Sequence, residues 1–343
     1  MRAWRNGLAR AALALLLLLP ATALADDTGE GQEIYRRGAD SGSGKARGNG
    51  APVDLAPLWE HRDAALQAKL ESAIRQLGLD GAVRGKQLSF ALVDITELHA
   101  PRVAELNGDL MMYAASLPKI AVLLAVFDGV EKGKIRLDTM TENKLKQMIR
   151  RSSNSATTEM MHLVGKENIA EVLLSPRYRL YDPKRNGGLW VGKDYGKGGL
   201  WRRDPLHNLS HGATAMQVAR FYYLLETGKL VSPRQSAKMK QILADSEINH
   251  KFVHGLLLID PKANLYRKSG SWRTYHSDSA LVERDGRAYI AVALANSDKG
   301  KHWLVDLIQA ADAIIFSDDR PRRAKKKEKK KRSFRDLFGR RAR

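Results

Sequence analysis

The stretch Ser116-Leu117-Pro118-Lys119 opens an apolar segment, and two more short motifs follow it, Ser152-Ser153-Asn154 and Lys268-Ser269-Gly270. Each motif occurs once in the 343 residues. A chain of this length contains roughly one S-x-x-K by composition alone, so a single motif carries little information. The combination of S-x-x-K, S-x-N and K-S-G in this order therefore predicts one shared active site.

The residue periodicity around these motifs predicts the fold. Alternating apolar residues predict strands near 88–93 (expected to be buried on one face), up to 106, and at 265–271, 279–283 and 289–294. Helical spacing predicts helices near 66–77, 120–127, 141–163, 214–226 and 304–315. Because strands lie at both ends and helices fill the middle, we predict an α/β (α+β) class. Its antiparallel sheet is flanked by helices and carries an inserted all-helical subdomain.

Ser116 and Lys119 form a candidate nucleophile and base. A serine hydroxyl needs a positioned base at neutral pH, and residues three apart at a helix start are neighbours. Lys119 can serve as that base if burial or a nearby charge, for which Lys268 is the candidate, lowers its pKa. The Ser116 amide can help to stabilise an oxyanion. The alternative for Ser116 is an ordinary helix cap, and for Lys119 a solvated surface lysine.

The other two motifs offer proton transfer and substrate binding. Ser152 can relay a proton and the Asn154 amide can hold a substrate carbonyl, although a helix-capping loop is the simpler reading of both. Lys268, Ser269 and Gly270 fall in a predicted strand, where glycine often marks close approach of a ligand. With Ser271 supplying a backbone amide, an extended acyl substrate can pair along this edge. The alternative is a charged strand end.

Over about residues 59–318 the chain resembles class A-type serine β-lactamases and low-molecular-mass penicillin-binding proteins. The runs 148–157, 213–219 and 224–228 are also similar to family segments. The resemblance implies Ser116 as the acylated nucleophile, Lys119 as the general base and Ser152 as the proton shuttle. It implies substrate binding by Asn154, Lys268, Ser269, Gly270 and Ser271, with the amides of Ser116 and Ser271 as the oxyanion hole.

One departure from the class A pattern bears on turnover. Class A enzymes use an omega-loop glutamate to activate the deacylating water, whereas the corresponding segment, 178–211, has Asp182, Asp194 and Asp204 but no glutamate. His211, at its end, is a candidate catalytic group, with a loop hydrogen-bonding role as the alternative. We therefore expect acylation of Ser116 by β-lactam or D-Ala-D-Ala-type amides. The alternatives are a D,D-peptidase or transpeptidase acting on peptidoglycan, and a protein that binds β-lactams or muropeptides without turnover. No G-x-S-x-G motif supports an α/β-hydrolase.

The composition and the two ends predict an exported protein. Residues 1–25 have the charged, apolar and A-x-A regions of a secretory signal peptide, and 26–58 a lead-in expected to be flexible. A catalytic domain at 59–319 precedes a basic tail, 320–343, that we expect to be disordered. We expect a periplasmic monomer without cofactor, metal or nucleic-acid partner; the chain has no cysteine.

The tail holds 14 Lys/Arg and two acidic residues, and it includes Phe334, Leu337 and Phe338. It could tether the protein to an anionic membrane or a cell-wall polymer, or simply remain solvated.

Overall fold

The computed structural model describes residues 57–317. The signal peptide, nearly all of the lead-in and the basic tail predicted from the sequence lie outside these residues.

The described residues form ten helices and ten strands, besides two short 3-10 turns. The helices are α1 (Ala64–Gln76), α2 (Asp80–Arg84), α3 (Lys119–Glu131), α4 (Thr139–Arg150), α5 (Asn154–Val164), α6 (Lys166–Leu174), α7 (Ala215–Glu226), α8 (Pro233–Leu243), α9 (Phe252–Leu257) and α10 (Gly300–Phe316). The strands are β1 (Leu88–Asp94), β2 (Arg102–Leu106), β3 (Met112–Tyr113), β4 (Tyr181–Asp182), β5 (Gly187–Gly188), β6 (Trp190–Val191), β7 (His211–Ala213), β8 (Asn264–Trp272), β9 (Tyr275–Arg284) and β10 (Arg287–Asn296).

The main sheet is antiparallel and has the order β2-β1-β10-β9-β8, so strands from both ends of the domain pair with one another. The Asp285-Gly286 turn joins β9 to β10, with Arg284 opposite Arg287. β8 is an edge strand, paired with β9 so that Gly270 lies opposite Ser277. The predicted fold class is confirmed, and the third motif lies on a strand with one free edge.

Helices cover both faces of the sheet. One face packs against α1, α9 and α10, and the other against α7 and further elements of residues 111–243. Residues of β1 alternate between these two cores, with Phe90 and Leu92 on one side and Ala91 and Val93 on the other. The prediction that this strand is buried on one face was therefore wrong: every residue of β1 is buried.

The segment inserted between β2 and β8 is mainly helical, but it is not all-helical as predicted, because it also contains short strands. β3, β7 and β6 form a three-stranded sheet, and β4 pairs with β5. The insert packs against the face of β8 that carries Lys268 and Gly270, and this brings the first two motifs to the third. Within the described residues, no helix is long and apolar enough to span a membrane.

Candidate active site

Ser116 lies on a tight turn between β3 and α3. The Leu117 amide donates to Ala114 O at 3.0 Å, and the Lys119 amide donates to Ser116 O at 3.3 Å. The N-cap of α3 is Pro118 and no side chain caps it, so Ser116 is not a capping residue. Ala115, directly before it, has φ of 50°, a strained conformation of the kind that recurs at functional sites. The turn leaves the Ser116 hydroxyl facing a cleft.

Lys119 is fully buried and its ammonium group faces neutral oxygens. Nζ donates to Ser152 O at 2.6 Å and to Asn154 Oδ1 at 2.9 Å, and Ser152 Oγ lies 3.4 Å away. No carboxylate of residues 57–317 pairs with it. Burial lowers the pKa of Lys119 to about 7, so a large share of this amine is neutral at physiological pH.

The polar groups of the Ser152-Ser153-Asn154 motif have two roles, one in capping a helix and one in contacting Lys119. Ser153 Oγ caps α5 by accepting from the Ala156 amide at 3.2 Å. Ser152 has a positive φ of 57°, and its carbonyl and hydroxyl both lie near Lys119 Nζ. The capping role considered for this motif thus belongs to the middle serine alone, while Ser152 and Asn154 contact the buried lysine.

Lys268 approaches the same serine from the sheet. Its Nζ donates to Ser152 Oγ at 3.0 Å and to Ser269 O at 2.7 Å. Burial, and then the charges of Lys119 and Arg267, pull the pKa of Lys268 well below its usual value. The sequence suggested that Lys268 lowers the pKa of Lys119 by repulsion; for Lys119 itself the cause is burial. The Ser152 hydroxyl therefore lies between two buried lysines.

Gly270 lies directly against the turn that carries Ser116. A methyl group on Gly270 would be 2.3 Å from Ala114 O and 2.6 Å from Ser116 N, so no side chain fits there. Ser277 Oγ donates to Ala114 O at 2.9 Å and strengthens this junction. Within residues 57–317 the Ser116 amide donates no backbone hydrogen bond, which leaves it available to an incoming oxygen.

A cavity of about 460 Å³ opens beside Ser116. Asn154 and Ser271 line it, whereas Lys119, Ser152, Lys268, Ser269 and Gly270 do not form part of its lining. Aromatic side chains form much of the remaining wall, namely Tyr113, Tyr195, His211, Trp272 and Tyr275. The cleft thus combines aromatic surface with polar and charged side chains, the latter including Lys193, Asp194 and Arg203.

Tyr195 is the loop residue that faces Lys119. Its ring centroid is 4.6 Å from Lys119 Nζ, and its hydroxyl donates to Ala115 O at 3.3 Å. The imidazole of His211 stacks on it at 4.2 Å. Burial, together with Lys193 and Lys119, lowers the pKa of His211 to about 3, so this imidazole is neutral and a weak base.

The three aspartates of segment 178–211 all have structural partners. Asp182 accepts from the Lys184 amide. Asp194 pairs with Lys166 at 2.8 Å; burial opposes its charge, yet Lys166 and His162 hold its pKa below the usual value. Asp204 accepts from the Tyr181 hydroxyl and from the amides of residues 206, 207 and 209. Asp204 therefore organises its own loop, and only Asp194 also lines the cavity.

Sequence reasoning did not single out three residues of this neighbourhood. Tyr195 is one of several aromatic residues in segment 178–211, and nothing in its local sequence sets it apart. Lys251 is buried behind β8, where Nζ donates to Gly270 O at 2.6 Å and to Ser271 Oγ at 2.8 Å. Asp278 forms a buried pair with Arg267 at 2.7 Å. A lone lysine or aspartate outside a motif gave no signal, because only the fold brings these residues to β8.

The architecture, with the three motifs meeting where the insert joins the sheet, is the β-lactamase/transpeptidase fold. A sequence model described as the beta-lactamase enzyme family matches residues 69–144 and 141–317. The chain belongs to this family. A search of curated proteins found no match.

Solved structures of similar fold have low sequence identity. A beta-lactamase from Sphaerobacter thermophilus is 16% identical, with a TM-score of 0.58 over 74% of this chain and 99% of that one. A mutant of PBP-A, in an acyl-enzyme complex with penicillin G, is 16% identical, with a TM-score of 0.58 over 77% and 100%. A class A beta-lactamase from Bacteroides cellulosilyticus is 17% identical, with a TM-score of 0.56 over 74% and 97%.

Proposed function

We propose that this protein is a serine acyl-transfer enzyme in which Ser116 is acylated by β-lactams and by D-Ala-D-Ala-type peptide amides. One observation carries the proposal. Lys119, which follows the cleft residue Ser116 by three positions, is buried, has no carboxylate partner among residues 57–317, and contacts Ser152 and Asn154. A lysine whose pKa is lowered to about 7 can accept a proton from a hydroxyl at physiological pH.

The proton path follows the contacts around Ser152. Lys119 takes the proton of the Ser116 hydroxyl as Oγ bonds to the carbonyl carbon, which creates an oxyanion. The open amide of Ser116, with that of Ser271, stabilises this oxyanion. Ser152 Oγ lies between Lys119 Nζ at 3.4 Å and Lys268 Nζ at 3.0 Å. It gives its proton to the departing nitrogen as the C–N bond breaks, and it takes up from Lys119 the proton that Lys119 received from Ser116. Asn154 orients the acyl amide from the side of the cavity.

The same geometry disfavours rapid release of the acyl group. Water attack needs a base near the ester, and the side chain that the loop presents to Lys119 is the Tyr195 ring rather than a carboxylate. The aspartates of the loop have partners, and His211, with a pKa of about 3, is a weak base. We therefore favour a long-lived acyl-enzyme, typical of penicillin-binding D,D-peptidases and transpeptidases, over an efficient antibiotic-degrading β-lactamase.

The free edge of β8 and the aromatic wall support an extended peptide substrate. Residues on an edge strand can pair with a peptide backbone, while Tyr113, Tyr275 and Trp272 offer apolar surface for its side chains. Peptidoglycan stem peptides have this chemistry and are found outside the cytoplasm. This agrees with the signal peptide predicted for residues 1–25.

The proposal is tested by intact-mass spectrometry of the protein with penicillin G over time, beside Ser116→Ala. We expect one covalent equivalent on the wild-type protein, persisting for many minutes, and none on the variant. A transient adduct with continuing loss of penicillin would instead identify a working β-lactamase. If the wild-type protein forms no adduct and hydrolyses neither penicillin nor a D-Ala-D-Ala peptide, the acyl-enzyme proposal is wrong.

A further inference from the structure

Lys251 is a fully buried lysine that takes no part in the proposed proton path. It is the N-cap of α9, on the face of the sheet opposite to the insert. Its Nζ donates to Gly270 O at 2.6 Å, to Ser277 O at 3.1 Å and to Ser271 Oγ at 2.8 Å. Within residues 57–317, none of its hydrogen bonds reaches a carboxylate. The ammonium group therefore lies against the backbone of β8 and β9, behind the cleft.

Gly270 O and the Ser271 N–H are the two ends of one peptide group. Lys251 bridges Gly270 O to Ser277 O, and these two residues are paired across the ladder, so Gly270 O faces β9. The C=O and N–H of a trans peptide point in opposite directions. The Ser271 amide therefore points away from β9, to the free edge of β8, and Ser271 lines the cavity beside Ser116. An oxyanion-hole donor needs this direction.

We infer that Lys251 is a positioning residue for the oxyanion hole, which acts on the Ser271 amide through the peptide group that it holds at Gly270 O. Two effects follow from this contact. The ammonium group fixes the plane of the peptide, and thus the direction of its N–H. It also draws electron density toward the carbonyl oxygen, which makes the N–H a stronger donor, since hydrogen bonds in a chain polarise one another. The inference rests on the proposed function, because it concerns the acylation of Ser116.

Lys251 carries its positive charge at neutral pH. Burial lowers the pKa of Lys251 to about 8, while the nearby Asp278 carboxylate opposes this effect. The amine is therefore mostly protonated at pH 7. A charged donor makes a stronger hydrogen bond than a neutral one. Removal of the charge should therefore weaken the Ser271 amide as a donor, even where a neutral group still reaches Gly270 O.

The first test separates binding from acylation. Lys251→Met removes both the charge and the hydrogen bonds, whereas Lys251→Gln removes the charge but keeps a donor. From the concentration dependence of adduct formation with penicillin G, we expect the limiting acylation rate to fall about tenfold in Lys251→Met and less in Lys251→Gln. The dissociation constant of the initial complex should stay unchanged, because the oxyanion hole acts mainly on the charge of the transition state.

The second test measures the oxyanion hole in the acyl-enzyme. The ester carbonyl on Ser116 lies in this hole, and its infrared stretching frequency falls as the hydrogen bonds to it strengthen. Penicillin G that is isotope-labelled at the lactam carbonyl carbon isolates this band in difference spectra. We expect the band at higher wavenumber in both Lys251 variants than in the wild-type protein.

Phe252→Leu is the matched control for stability. It shrinks a buried side chain of α9 next to Lys251 but removes none of the three hydrogen bonds of the lysine. We expect a lower melting temperature, with an unchanged acylation rate and an unchanged ester band.

The inference is overturned if both Lys251 variants fold and keep the wild-type rate and band, or if Phe252→Leu changes them to the same extent. It is also overturned if neither Lys251 variant folds, because Lys251 would then be needed for the fold rather than for the site. Failure of the wild-type protein to form any adduct would instead overturn the proposed function, and this inference with it.

Discussion

The buried cations Lys268 and Arg267, on opposite faces of β8, have different kinds of partner. Successive residues of a strand point to opposite faces, so Lys268 reaches Ser152 on the cleft side while Arg267 reaches Asp278 on the other. Arg267 has a carboxylate partner at 2.7 Å. Among residues 57–317, Lys119 and Lys268 contact only neutral oxygens. Arg267 is therefore held in a buried ion pair, whereas Lys119 lacks a carboxylate contact, has a pKa that burial lowers to about 7, and can act as a base.

Among the tests of this comparison, replacement of Lys119 should have the largest effect, a loss of acylation rate. We expect Lys119→Met to slow acylation by about 10²–10⁴-fold, the usual contribution of a positioned base. Lys119→Arg should be equally slow, because a guanidinium group fills the space but does not give up its proton. The rate of penicillin adduct formation measures the effect, with thermal unfolding as the check on folding. Near-normal acylation by Lys119→Arg would show that this cation is structural.

On the opposite face, Asp278→Asn should lower the stability of the protein rather than the acylation rate. It leaves Arg267, which is 2% exposed, without its carboxylate, at a cost of about 3–5 kcal/mol in the free energy of unfolding. Urea unfolding measures it. Adding Arg267→Met should recover much of the loss, since the unpaired charge is then removed. If the double variant does not regain stability, Asp278 stabilises the fold through more than this pair, for instance through the hydrogen bond that it accepts from the Phe252 amide.

Gly270→Ala should push the cleft face of β8 away from the turn that carries Ser116. Its methyl group would press on backbone atoms of Ala114 and Ser116, and such overpacking costs about 1–3 kcal/mol. We expect acylation to slow by roughly 10–100-fold from the displaced Ser116 amide. Gly199→Ala is the control, because nothing lies within 4 Å of the added atom. Equal rates for the two variants would contradict the close contact.

The pH dependence of acylation tests the lowered pKa of Lys119 directly, without a change in the sequence. Lys119 acts as a base only when neutral, so protonation below its pKa of about 7 removes activity. The acylation rate should therefore rise about tenfold per pH unit below pH 7 and level off above about pH 8. Measurement between pH 5 and 9 with a stable β-lactam suffices. A flat profile down to pH 5 would mean that Lys119 is not the titrating base.

The local patterns predicted the main sheet, most helices and the three motifs because each depends on residues that are near in sequence. The alternation in 88–93 located β1, but it did not reveal that both of its faces are covered, since that depends on α10 and the insert. Tyr195 and Lys251 were missed for a related reason. Their roles arise from contacts with Lys119 and Gly270, which lie far away in the chain.

The contact between Gly270 and the serine turn has a consequence for how the protein unfolds. Gly270, Lys268 and Ser277 belong to the sheet, whereas Ala114, Ser116 and Ser152 belong to the insert, and their contacts join the two parts. Partial separation of the insert from the sheet would disconnect the nucleophile from its neighbours before either part melts. Covalent labelling by penicillin would then report the packing of the insert on the sheet. Under mildly denaturing conditions, labelling would be lost before secondary structure.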